Sequence, residues 1–246
     1  WVIGNEQNYF NGDNSYWYSL ANEMARAAYQ IEGESYRPVA INNGDINNIG
    51  YVEKQADDSS LSYIDVWAVN AYRGKSFGGL FHNLEKRTAK PIFIAEYGVD
   101  AFNNVNQQEE PAAQALWDTD MWNEIASGAE CIGGAVMAYS DEWWKAGDPL
   151  IHDITAVPWN LSTQPDGYSN EEWYGIVSIA DNGTLPDIVT PRQVYTDLGK
   201  RFKETTRSFL NIELPQPPSN LNTAVESVNV RLTWQSSSTT DIEGYC

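Results

Sequence analysis

The chain has 246 residues, 42% of them hydrophobic and 13% aromatic, enough for one large domain with a sizeable core or for one domain and part of another. A formal net charge of −19 argues against nucleic acid, whose phosphates need a basic surface, and against an anionic membrane surface. It suits a neutral ligand, and no apolar run is long enough to predict a membrane span.

In chain order, residues 1–5 form an apolar run that reads as a buried strand and breaks into polar residues right after Glu6. Residues 16–32 have helical periodicity, with Asn14 or Ser15 available as the cap. A strand at 37–42 and an Asn-Asn-Gly turn come next, then a helix at 46–56, a strand at 64–71 and a helix at 81–89. The run 91–96 is the next strand and ends in Glu96; a helix at 107–126 and a strand at 131–139 follow. An irregular stretch at 140–190 leads to a last helix at 191–209, opened by Pro191, because proline suits a first helical turn. Strands alternating with helices predict a parallel α/β fold. A closed (β/α)8 barrel places eight strands in roughly 250 residues. Five strands in residues 1–210 therefore predict an incomplete TIM barrel with residues 1–5 as an edge strand, an open five-stranded sheet being the alternative.

The tail changes character. Residues 211–218, with Pro215, Pro217 and Pro218, read as a linker, and 228–234 alternate with period two, as a half-buried antiparallel strand does. Residues 241–245 begin a further strand, so 219–246 read as a truncated β-sandwich module. Cys131 reads as a small core residue, and Cys246 is too remote in sequence context to suggest a disulfide with it. No signal peptide is visible, which says little for a sequence that opens inside a strand.

The chemistry gathers at strand ends. A carboxylate is costly to bury without a partner or a task, and the carboxyl ends of parallel strands are where α/β barrels place catalytic groups. Glu6 and Glu96 both stand there. Two facing carboxylates meet the need of glycoside hydrolysis for a proton donor and a nucleophile or base. His82 and His152 lack metal-ligand spacing, and the sequence predicts no metal and no cofactor. Asp57-Asp58 and Glu109-Glu110 read as solvated helix ends, and the rings of Tyr9, Phe10, Tyr16, Trp17 and Tyr18 either line a ligand site or cap the domain.

Gly4-Asn5-Glu6 resembles the end of strand 4 in the clan A retaining glycosidases, the 4/7 superfamily of (β/α)8 barrels. Ile94-Ala95-Glu96-Tyr97-Gly98 resembles the end of strand 7, most like the family 2 glycosidases and also like the glucanosyltransferases. The resemblance implies strands 4 to 8 of such a barrel, Asn5 as a substrate ligand, Glu6 as acid/base and Glu96 as nucleophile. It implies Tyr72, with Asn70 behind it, near the nucleophile; Arg73, the next residue, is by its charge a second candidate partner of Glu96. It implies Trp143 or Trp144 beneath the sugar, and Asp141 and Glu142 on sugar hydroxyls. Asn170-Glu171-Glu172-Trp173 resembles a stretch that closes the loop after strand 8, a structural role. The tail resembles the opening of a fibronectin type III domain, a spacer of secreted polysaccharide-degrading enzymes, which implies an extracellular, cell-surface or periplasmic setting. A retaining hydrolase acting on β-glycosidic bonds of a carbohydrate is thus expected; a transglycosidase or a non-catalytic carbohydrate-binding barrel are the alternatives. Sugar, linkage and oligomeric state stay open.

Overall fold

A computed structural model describes residues 1–10, 14–128, 130–154, 164–183, 186–210, 219–226 and 229–235, with side chains up to residue 205. The protein is α/β, built on a parallel sheet of five strands: β1 (Val2–Ile3), β2 (Ala40–Gly44), β3 (Val66–Asn70), β4 (Ile92–Tyr97) and, after a two-stranded ribbon of β5 (Phe102–Asn103) and β6 (Gln108–Glu109), β7 (Cys131–Val136). The order in the sheet is β1-β2-β3-β4-β7, each pair parallel, so β1 and β7 are the edges.

Helices α1 (Ser15–Glu32), α2 (Leu80–Glu85) and α3 (Pro111–Ser127) connect consecutive strands of the sheet, as parallel pairing requires. Every residue of β2 is buried, Asn42 and Asn43 included, whose side-chain amides are held by hydrogen bonds. Ile41, Trp67, Val69 and Ile94 are wholly buried on the strands, and Tyr18, Leu80, Met121 and Ile125 come from the helices. Each such side chain stabilises the fold by roughly 1.5–3 kcal/mol. Gly134 on β7 lets α3 approach, because a Cβ there would crowd the Ile125 side chain and the Ile94 carbonyl. Tyr18 stacks edge-on against Trp67 and donates its hydroxyl proton to Asn43 Oδ1 at 2.8 Å.

Four expectations need correction. Residues 46–56 are not an α-helix; they are turns with one 3-10 turn at Val52–Lys54. Left-handed backbone at Asn48, Gly50 and Gln55 interrupts any helix there, and Gly50 N–H bonds to Ala56 O instead. The helix placed at 107–126 starts only at Pro111, because Gln107 is left-handed in the turn between β5 and β6. The stretch 140–190 contains a strand β8 (Val177–Ala180) that pairs antiparallel with β9 (Ile188–Pro191). Pro191 therefore closes β9, and α4 (Gln193–Leu210) begins two residues later.

Beyond α4, β10 (Ser219–Glu226) and β11 (Asn229–Gln235) pair as an antiparallel hairpin of their own. The expected linker at 211–218, the strand start at 241–245 and Cys246 lie outside the described residues. Cys131 is half-buried and free, its thiol pushed up by burial. Among the described residues no helix is long and apolar enough to cross a membrane.

Candidate active site

The carboxyl ends of the parallel strands meet at a cavity of about 740 Å³, within the range of small-ligand sites. Asn5, Glu6, Asn70, Tyr72, Glu96 and Glu142 all line it. Glu6 follows β1 with left-handed backbone, φ 54° and ψ 30°. Its N–H bonds to Asn42 O at 3.2 Å, and its carbonyl accepts from Tyr9 N at 3.0 Å, so the turn stays tied to the sheet. Asn5 Oδ1 accepts from Asn42 Nδ2 at 2.8 Å and from Asn70 Nδ2 at 3.0 Å. Asn70 Nδ2 also donates to Glu6 Oε1 at 3.0 Å. Amides at the ends of β1, β2 and β3 are thereby joined, and Asn70, 2% exposed, is the hub.

Glu96 is the fifth residue of β4. Val69 stands opposite Ile94, yet Asn70 stands opposite Glu96, because the register slips past Ala95. The slip brings Glu96 level with the amide hub. Tyr72 donates its hydroxyl proton to Glu96 Oε2 at 2.7 Å and also contacts the Met137 sulfur. Tyr174 meets the Tyr72 ring edge-on, and Ala71 N–H bonds to Glu96 O at 2.8 Å. Burial, reinforced by the negative charge of Glu96, holds the Tyr72 phenol far above its ordinary range. It keeps its proton and acts only as a donor.

Glu6 has a different environment. Burial pushes its carboxyl above the ordinary range, the Asn70 hydrogen bond opposes this, and the negative charges of Glu96 and Glu171 add to the rise. An upward shift of this kind is the direction that proton donation by a carboxyl group needs.

Several predicted ligands stand elsewhere. Asp141 does not reach the cavity. It is buried in a bidentate ion pair with Arg192, 2.6 and 2.8 Å, and accepts the Gly175 N–H. The equally buried guanidinium requires that charge. Neither tryptophan lines the cavity. Trp143 stacks on His152, which in turn stacks on Trp173, and Trp144 lies 67% exposed beneath the Lys145 ammonium. Arg73 pairs with Asp45, not Glu96, through bonds of 2.5 and 3.0 Å. Glu172 is buried, accepting the N–H groups of Ala146 and Asp153.

Residues that the sequence left unassigned complete the wall. Tyr9 reaches it because Gly44 has no Cβ, which would overlap the Tyr9 ring. Phe10 and Tyr16 point to solvent, and Trp17 packs on Gly4. Asp45, Lys145, Glu171 and Tyr174 also face the cavity. For Glu171 a signal existed, a glutamate pair ahead of Trp173, but nothing local told which of the two turns inward. Among the described residues no group of His, Cys, Asp and Glu could hold a metal ion.

No protein-family model matches the chain, and neither does any curated protein. Solved structures do resemble it in fold. A β-galacturonidase of glycoside hydrolase family 2 from Eisenbergiella tayi, bound to glycerol, aligns at TM-score 0.50 and 16% identity over 83% of this chain and 32% of its own. A β-D-glucuronidase from Dictyoglomus thermophilum gives 0.50 and 16%, covering 83% and 31%. The β-glucuronidase of Bifidobacterium dentium, complexed with coumarin-3-O-glucuronide, gives 0.51 and 15%, covering 82% and 30%. The chain spans about a third of the length of these structures, and at such identities what it shares with them is an α/β fold built on a parallel sheet.

Proposed function

We propose that the chain carries the catalytic pair of a retaining glycoside hydrolase acting on β-glycosidic bonds, with Glu96 as nucleophile and Glu6 as acid/base. The observation that carries this reading is that both carboxyl groups line one cavity at strand ends and differ in environment. The similarity in fold to part of several glycuronidases supports a carbohydrate substrate and a (β/α)8-type barrel around these strands. The β10–β11 hairpin is compatible with a fibronectin type III-like module and, with it, an extracytoplasmic setting.

Glu96, oriented by the Tyr72 hydroxyl, attacks the anomeric carbon. The bond to the leaving oxygen breaks while protonated Glu6 supplies that oxygen with a proton. The glycosyl ester on Glu96 is then attacked by water, which gives its proton to the Glu6 carboxylate, and the ester bond breaks. Asn5, its amide oxygen already engaged by two donors, has its NH2 left to hold a sugar hydroxyl.

The test is trapping. An activated 2-deoxy-2-fluoro β-glycoside should leave a stable glycosyl ester, and peptide mass analysis should place it on Glu96. Proton NMR of the first-formed product should show the β-anomer. A label on another residue, or an α-anomer formed first, would refute the assignment.

A further inference from the structure

The charge of the cavity bears on which sugar it takes. Among the described residues Glu6, Asp45, Glu96, Glu142 and Glu171 bring carboxyl groups to its wall, against the ammonium of Lys145 alone. Two of these charges are already answered. Arg73 holds Asp45 through two bonds, and Lys145 Nζ lies 3.7 Å from Glu142 Oε2. Burial beside Glu96 and Glu171 disfavours the charged form of Glu6. Glu96 and Glu171 then remain as negative charges. Glu171 opens the 3-10 turn Glu171–Trp173, is exposed, and has no hydrogen bond or ion pair among the described residues.

Resting on the glycosidase reading, we infer that the sugar at the point of cleavage carries no carboxylate: the cavity takes a neutral hexoside and rejects the matching uronide. Among the described residues a uronate would have Lys145 as the single lining cation, and Glu142 holds that ammonium. Taking it over would strand Glu142 and place the uronate in the field of Glu96 and Glu171. Like charges brought together without a shared cation disfavour binding strongly. A neutral hydroxymethyl group avoids the penalty and donates a hydrogen bond to a carboxylate. The chain thus shares a fold with β-glucuronidases and a β-galacturonidase while presenting the opposite charge preference at the sugar.

Two matched pairs of 4-nitrophenyl β-glycosides test this: glucoside against glucuronide, and galactoside against galacturonide. The neutral member of at least one pair should have kcat/KM higher by about tenfold or more, the size of a single unrelieved like-charge contact in a partly exposed site. Glu142→Gln, which frees Lys145, should narrow that ratio, and so should Glu171→Gln, whose side chain is exposed and has no partner among the described residues, so the variant is safe for folding. A uronide turned over as well as its neutral partner overturns the inference and leaves the glycosidase reading standing. A gap that neither variant narrows also overturns it. Turnover of none of the four removes the activity on which it rests.

Discussion

Two pairs of neighbouring carboxylates in the segment after β7 meet opposite fates, and the strand-end carboxylates show why. Asp141 and Glu172 turn inward and are wholly buried in their side-chain contacts; Glu142 and Glu171, one residue away from each, face the cavity. The inward pair is saturated: Asp141 by Arg192 and the Gly175 N–H, Glu172 by two backbone N–H groups. The outward pair is loosely held, by a lysine 3.7 Å away in one case and by nothing among the described residues in the other. Glu6 and Glu96 lie between these extremes, each with a side-chain hydrogen bond and each open to the cavity. A buried carboxylate with both oxygens engaged by the protein is architecture. One with a single oriented partner keeps capacity for a ligand.

The sharpest way to break this contrast is Glu96→Gln. On the proposed assignment it should lower turnover by about 10⁴-fold or more, because an amide at residue 96 cannot form the glycosyl ester, with little change in thermal midpoint. A large loss of stability would put Glu96 with the architectural pair. Next is Arg192→Ala, which leaves Asp141 buried without its cation. It should destabilise the fold by about 3–5 kcal/mol in urea titration, whereas Glu142→Gln should shift it by less than about 1 kcal/mol. Equal effects would erase the distinction between the two neighbours. Glu6→Gln should reduce kcat/KM by about 10²–10³-fold on alkyl glycosides and far less on aryl glycosides with good leaving groups, because only the former need a proton at bond cleavage. Similar losses on both would remove Glu6 as the acid.

The smallest effect concerns pH. Burial pushes the Asp100 carboxyl up to about 7, despite hydrogen bonds from Asn170 and the Phe102 N–H. Its folded value lies above its unfolded one, so between about pH 4 and pH 7 the folded state binds more protons and stability falls as pH rises. Asp118, buried under Val99, acts in the same direction. Unfolding midpoints should decline from pH 5 to pH 7.5, and Asp100→Asn should remove about 1–2 kcal/mol of that decline. An unchanged pH profile in the variant would place the titration elsewhere.

Much of this was legible in the residues. Apolar runs mark β1, β3, β4 and β7, while β2 runs into Asn42 and Asn43, which are buried with their amides hydrogen-bonded. Glu6 and Glu96 could be singled out because each ends such a run, whereas Asn5, Asn70 and Tyr72 were legible only through the resemblance to the clan A glycosidases. The segment after β7 follows no period, so nothing in its sequence separated Asp141 from Glu142; that choice depends on Arg192, fifty-one residues onward. Local polar chemistry misled at 46–56, where Asn43 Nδ2 bonds to the carbonyls of Asp45 and Asn47 and fixes turns over a sequence of helical composition. The β8–β9 hairpin had a readable signal, Asp181-Asn182-Gly183 between apolar alternations.

The left-handed backbone at Glu6 has a consequence for how this sequence can drift. A side chain with a Cβ adopts that conformation at about 1–2 kcal/mol, and glycine adopts it freely. Glu6→Gly should therefore fold at least as well as the natural chain while losing the carboxyl group altogether. Selection for stability alone would erode this position. A glutamate that persists at φ 54° among homologous chains would register pressure from activity, which makes residue 6 a built-in reporter of whether a lineage still uses the site.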